Sequence, residues 1–345
     1  MRILLDDIPF NNSLFPFGTL RSMVHIRVGI LTIWEKWQMA FPGEVLLSSQ
    51  VPDQNIEQLG LIEFPANIIP SSQFLKELSK GDGAIPSMED CKILQYPWQL
   101  FGLNGWAIAE DFGMLTEGRH SQEAGSSNHL IKPEAIFVEE GAQLSHTILN
   151  ATDGPIYIGK QAEIQEGSLI RGPFALGEGS RVKMGTRIYG ATTIGPHCLA
   201  GGEIKNSIMM SYSNKGHDGY LGDSVIGNWC NLGAGTSNSN LKNTAAEVKM
   251  WNFSENEFMV AGTKCGLIMG DYSRCAINTS FNTGTIIGVC CNIFGSGYPP
   301  KYMGNFTWGN QKYHFDKAVR DINNWKKLKG CSITDEEIAA LKSIY

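Results

Sequence analysis

The sequence predicts a mainly β chain whose C-terminal half winds into a left-handed parallel β-helix of hexapeptide repeats, with a small N-terminal α/β domain and C-terminal helices. Three observations carry this prediction. An aliphatic residue recurs every six positions from Ile158 onward, a small residue stands four positions after most of them, and the first 115 residues lack the period.

The repeat comes first. Ile158, Ile164, Ile170, Leu176, Val182, Ile188, Ile194 and Ala200 follow one another at intervals of six. Ala162, Ser168, Phe174, Ser180, Thr186, Thr192 and Cys198 stand four residues after the first seven, and all but Phe174 are small. A helix repeats near 3.6 residues and a half-buried strand near 2, so neither explains the spacing. A six-residue unit suits one side of a triangular coil. The aliphatic residue fills the prism, the small one lets the chain turn, and three units make one rung. The left-handed sense is inferred from the hexapeptide pattern, against the usual right-handed crossover.

The period returns at Ile226 and Leu232, and again at Met269, Cys275, Phe281, Ile287 and Ile293. Val138 and Leu144 place its start near residue 131. The interruptions at 206–219 and 238–262 read as loops thrown out from the coil, where function usually resides. The coil therefore spans 131–310. Residues 311–345 form a helical cap, since solenoid ends need covering. Phe315, Ala318, Val319, Ile322 and Trp325 recur at helical spacing, and Thr334 with Glu337 signals the start of a last helix.

Residues 1–115 mix apolar runs (Ile3–Leu5, Val28–Ile33, Glu44–Leu47) with helix-like stretches (Thr32–Met39, Ser72–Lys80), as in a short α/β domain. Residues 116–130 read as a linker. Gly18, Thr19 and Arg21, with Arg27 shortly after, offer a glycine, a hydroxyl and two cations that could cradle phosphates. A turn with solvated arginines is the plainer alternative.

Composition narrows the class. A net charge of −6 disfavours a general nucleic-acid or anionic-membrane surface. No apolar run approaches 18 residues, and the N-terminus, with Asp6 and Asp7, is unlike a secretory signal. The eight cysteines form no CxxC pair and show no zinc spacing, so buried free thiols in a reducing cytoplasm are expected. His146, His197 and His217 lack the paired spacing of a coil-type zinc carbonic anhydrase, and no metal site is expected on the coil.

Four stretches carry a family resemblance: Ile26–Trp37, Tyr96–Phe112, Asn231–Asn243 and Gly266–Trp308. The coil resembles the acetyltransferase half of the bifunctional enzymes that acetylate glucosamine-1-phosphate and then uridylylate it. The whole chain resembles sugar nucleotidyltransferases that fuse a divergent nucleotidyltransferase domain to such a coil.

The resemblance implies residue roles. Gly216–His217–Asp218–Gly219–Tyr220–Leu221–Gly222–Asp223 matches the stretch holding the family's catalytic histidine, so His217 is the expected general base and Tyr220 a sugar-phosphate contact. Glu203–Ile204–Lys205–Asn206 makes Glu203 the residue orienting that histidine and Lys205 a phosphate ligand, with Arg187 on the same phosphate. Asn231 and Asn240 would hold the amino sugar. The Ala234 backbone N–H would face the thioester, with Thr263 in a looser match beside it. No gap is needed from Arg187 to Asn240. Leu241 stands where the family has Tyr, and the lysine that follows there is not matched in place.

The residue types suit the chemistry. An amine must lose a proton to attack a thioester, and histidine titrates near neutrality. A backbone N–H can stabilise the oxyanion, and cations hold a sugar phosphate. Acetyl-CoA is the implied acyl donor, and Mg2+ is implied only if the N-terminal domain transfers nucleotides. The implied assembly is a homotrimer with small-molecule substrates, no nucleic acid and no membrane. The alternatives are a sugar nucleotidyltransferase using the coil as trimer scaffold, and a catalytically silent binding or assembly subunit.

Overall fold

In the computed structural model, which describes residues 1–10, 12–51, 61–81 and 85–345, the second half of the chain is a three-sided parallel β-solenoid. The first face has nine strands, the second ten and the third six. Strands pair in parallel one turn apart, except the antiparallel closing strand Gln311–Lys312. The hexad residues point inward. Ile158, Leu176, Ile194, Met209, Ile226, Met269 and Ile287 form one continuous interior column. All are fully buried, and removing such a side chain from water contributes about 1.5–3 kcal/mol.

The first expected loop, 206–219, is not a loop. Strands Ile208–Met209 and Asn214–Lys215 continue the coil there. The period of six loses phase because the interior residues Ala200, Ile204 and Met209 lie four and five apart, with Asn206 taking a left-handed conformation at the edge. The second interruption is real. The chain leaves the coil after Asn240, forms the hairpin Val248–Asn252/Glu257–Gly262, and returns at Cys265, whose N–H donates to Asn240 O.

The N-terminal region is a small α/β unit. Strand β1 (Arg2–Asp6) lies between β2 (Val45–Leu47) and β3 (Leu61–Pro65), all parallel. Helix α1 (Ile33–Ala40) starts from a capping box of Thr32 and Glu35, and α2 (Ser72–Leu78) from a Ser71 cap. The run Val28–Ile33 forms the turn into α1 rather than a strand. Helix α3 (Leu100–Thr116) packs on the coil, where Gly105 lets it approach Ala191.

One apolar core joins this unit to Ile208, Val225, Ile268 and Ile286, the outward residues of the first face. That face is thereby covered. Helix α4 (Phe315–Lys327) lies over part of the second face, where Trp325 stacks on Arg274. Helix α5 (Asp335–Ser343) follows from the Thr334–Glu337 capping box. The third face stays open and exposes Ile131, Ile148 and Leu169. All eight cysteines are free, and seven are buried. Among the described residues no helix is long and apolar enough to cross a membrane.

Candidate active site

The open third face carries most of the residues singled out from the sequence. Parallel pairing sets Arg187 against Glu203 and Glu203 against Tyr220, so these three form one outward column. Tyr189 and Lys205 form the next column. The interior residues Ile188, Ile204 and Leu221 lie between, as the two-residue alternation of a strand requires. Arg187 lies 3.7 Å from the Glu203 carboxylate, and the Tyr189 hydroxyl donates to that carboxylate at 2.6 Å. The Lys205 ammonium lies 5.7 Å from the centre of the Tyr189 ring. Two exposed or half-buried cations thus flank one carboxylate and two phenols.

His217 sits on the adjoining edge, where the second face turns into the third. It follows strand Asn214–Lys215 and precedes Tyr220–Gly222, and its side chain is exposed. Ala234 occupies the same edge one rung on, as the bond from Gly235 N–H to Asp218 O shows. Among the described residues the Ala234 N–H donates to no protein group, while its neighbours Gly233 and Gly235 are both bonded.

The third face opens at this level. Beyond Tyr220–Gly222 the backbone ladder is replaced by side chains: Tyr220 N–H donates to Ser237 Oγ at 3.1 Å and Gly222 N–H to Asn238 Oδ1 at 2.9 Å. Asp223 then gathers both amides of the next edge. It accepts from Asn206 Nδ2 at 2.6 Å and from Asn240 Nδ2. Burial pushes the Tyr220 phenol up to about 12, with Asp223 adding to the shift, so it stays a hydrogen-bond donor at neutral pH.

Several expected relationships take another form. The Glu203 carboxylate is engaged by Tyr189 and Arg187, not by His217; the link between the two segments is a backbone bond from Glu203 N–H to Gly219 O. Asn231 faces outward on the second face, in register with Asn214 and Arg274, whereas Asn240 lies at the far edge of the third face. One chain does not bring these asparagines together. Thr263 is exposed at the foot of the hairpin beside the Leu241–Lys264 bridge, one edge away from Ala234.

The expected phosphate cradle is engaged elsewhere. Arg21 forms a bidentate pair with Asp271 of the coil. Arg27 is buried, donates to Ile30 O and pairs with Glu35 at 3.3 Å. Gly18 lies in a buried turn with its N–H on Leu14 O, and Thr19 is half-buried after it. Pro16 of that turn approaches Gly270, where a Cβ would come within 2.8 Å of the ring. The segment clasps the coil.

The polar side chains of α3, Asn104 and Asp111, are taken up by internal partners. Asp111 accepts from Lys36 Nζ and from the Ile30 and Leu31 amides. Asn104 accepts from Gly29 N–H and the Thr193 hydroxyl and donates to Ala191 O, tying α3 to the coil. Among the described residues no cluster of three or more His, Cys, Asp or Glu could hold a metal ion.

Sequence reasoning missed three residues here. Tyr189 gave no signal, and Asp223 stood only as the end of the matched stretch, because their roles depend on neighbours one rung away. Lys215 did give one. It occupies an interior position, between Ala200 and Leu232 in the stack, where the hexad calls for an apolar side chain.

No protein-family model matches the chain. It is similar to a bifunctional sugar-1-phosphate nucleotidylyltransferase/acetyltransferase of Sulfurisphaera tokodaii, 26% identical over 274 residues, covering 73% of this chain and 61% of that protein. It is 38% identical over 94 residues to the bifunctional protein GlmU of Methanocaldococcus jannaschii, covering 27% of this chain and 22% of that one. The GlmU of Synechococcus elongatus is 28% identical over 165 residues, covering 41% and 36%. The chain thus spans less than two thirds of the length of these relatives. The crystal structure of an Arabidopsis UDP-N-acetylglucosamine acyltransferase aligns with a TM-score of 0.24 at 14% identity, over 58% of this chain and 76% of that one.

Proposed function

We propose that the chain is an acyl-CoA-dependent N-acetyltransferase acting on an amino-sugar phosphate of the glucosamine-1-phosphate kind, working in the cytoplasm as a homotrimer. The observation that carries this reading is the pair of columns Arg187–Glu203–Tyr220 and Tyr189–Lys205 on the open face, with His217 and the unpartnered Ala234 N–H on the adjoining edge.

The chemistry follows from those groups. Lys205 and Arg187 hold the phosphate of the acceptor by charge-assisted hydrogen bonds. His217 takes the proton of the attacking amine as the C–N bond forms. The Ala234 N–H receives the developing oxyanion, an interaction that contributes about 3–4 kcal/mol in other enzymes. The C–S bond then breaks, and the departing thiolate takes the proton back from the His217 imidazolium. Glu203 shapes the pocket with Tyr189 and balances its two cations.

Trimerisation completes the site. A ligand held on the third face of one copy cannot reach that copy's Asn231, which faces outward on the second face. A neighbouring copy would supply it from the strip of its second face beside α4, which covers the adjoining Arg274. Exposed Ile148 and Leu169 on the third face are the apolar contacts such packing would bury.

Nucleotidyl transfer is supported by the names of relatives, while Arg21, Arg27 and Asp111 are all committed to internal partners. We assign the N-terminal region to covering the first face.

The test is acetyl-CoA-dependent thiol release with an amino-sugar phosphate, using wild type and His217→Ala, together with sedimentation. Turnover lost in His217→Ala and a trimeric mass support the reading. No turnover with any amino-sugar phosphate, or a strict monomer, would sink it.

A further inference from the structure

The interior of the coil is aliphatic at almost every level, yet Lys215 points into it and is 2% exposed. Burying an ammonium is costly unless its donors are satisfied. The two hydrogen bonds it makes account for its presence. Lys215 Nζ donates to Gly201 O at 3.0 Å and to His217 O at 2.8 Å. These carbonyls lie on consecutive rungs of the edge that carries His217.

Comparison with neighbouring rungs shows what the lysine replaces. Earlier on this edge, the carbonyl of Lys183 accepts from the hydroxyls of Ser168 and Thr186. Later on it, the carbonyl of Ala276 accepts from Thr236 and Thr279. Each hydroxyl belongs to the small residue that turns the corner. Between them the pattern fails twice. The corner after Ala200 has only Gly201 and Gly202 before Glu203, two residues fewer than the corner from Val182 to Arg187, and has no hydroxyl. The corner after Lys215 places Gly219 at the small-residue site. Gly202, at φ +76°, lies so close to the next rung that a Cβ would come within 2.7 Å of His217 O. The two hydroxyl-free corners leave the Gly201 carbonyl, which stands where Lys183 and Ala276 stand on their rungs, and the His217 carbonyl, one residue further along its own corner, without hydroxyl partners beside the candidate base.

We propose that Lys215 is a positioning residue for His217: its ammonium replaces the missing hydroxyls, fixes the His217 carbonyl to the Gly201 corner, and thereby sets the peptide from which the imidazole projects. This rests on the reading of His217 as the base. Met fills a similar volume without donors, so Lys215→Met removes the two bonds and leaves the packing. Gln retains N–H donors on a shorter stem.

The experiment measures steady-state acetyl transfer and melting temperature for wild type, Lys215→Met, Lys215→Gln and His217→Ala. The expected result for Lys215→Met is a kcat lower by roughly 10- to 100-fold, the loss that a misplacement of about 1 Å brings. KM for both substrates stays unchanged, the melting temperature falls no lower than wild type, and Lys215→Gln is less impaired. Unchanged kcat in Lys215→Met, beside an inactive His217→Ala, overturns the positioning role and leaves the base in place. A loss of kcat that tracks loss of folded protein in both Lys215 variants also overturns it, since the role is then structural. Full activity in His217→Ala overturns the base assignment itself.

Discussion

The Tyr189 hydroxyl donates to the Glu203 carboxylate at 2.6 Å across one rung of the third face. This bond raises the Tyr189 phenol above its ordinary value, with burial adding to it. It also fixes the Glu203 carboxylate beside Arg187, 3.7 Å away. Removing it in Tyr189→Phe should free the carboxylate and cost about 1 kcal/mol, roughly fivefold in kcat/KM. Steady-state kinetics with the amino-sugar phosphate checks this, and an unchanged kcat/KM would show that Glu203 needs no such tether.

Lys205 and Arg187 stand in adjacent columns of the open face. If both hold the acceptor phosphate, Lys205→Ala and Arg187→Ala should each raise KM for the phosphorylated amino sugar. The loss is about 1.5–3 kcal/mol, roughly 10- to 150-fold. KM for acetyl-CoA should not move, and the unphosphorylated sugar should be used equally well by wild type and variants.

Lys36 and Asp111 form a buried ion pair in the N-terminal region, and neither side chain is more than 1% exposed. Leaving one charge without the other is expected to cost about 3–5 kcal/mol. Lys36→Met alone should lower the urea midpoint strongly. Lys36→Met with Asp111→Leu should recover part of the loss, although Asp111 also accepts from the Ile30 and Leu31 amides. Equal midpoints for wild type and Lys36→Met would contradict the assignment.

Lys215 makes stability depend on pH in a definite direction. Burial lowers its ammonium from the ordinary 10.5 to about 8, with Asp218 and Cys275 opposing the shift. Below about pH 8 both folded and unfolded chains are charged there, and the full burial cost is present. Between about pH 8 and 10.5 the unfolded chain binds the extra proton, so this contribution to stability rises with pH, by roughly 3 kcal/mol across the window. Tyrosines and cysteines of the unfolded chain titrate in the same range. The readout is therefore the difference between wild type and Lys215→Met in urea unfolding at pH 7.5 and pH 10. A difference that stays flat with pH would place the ammonium in contact with water.

The sequence by itself determined the coil, because a six-residue spacing of aliphatic side chains can be buried together only when the chain turns three times per rung. It also marked Arg187, Glu203, Lys205 and Tyr220, which the parallel register places on one face. The local signals for α4 and for the Thr334–Glu337 cap were legible for the same reason, since a helix writes its period into adjacent residues. The tertiary structure decided the rest. The interval 206–219 looked like a loop because the short Gly201–Gly202 corner and the tight edge at Asn206 together shift the phase, and only the stacked rungs show that the chain stays on the coil. Arg21 and Arg27 carried the residue types of a phosphate cradle, but their partners, Asp271 and Glu35, follow from how the N-terminal region packs, across 250 residues for Arg21 and Asp271. The Lys215 ammonium lies between these cases. Its break in the hexad is visible in the sequence, but its bonds to Gly201 and His217 exist only because consecutive rungs stack one strand spacing apart.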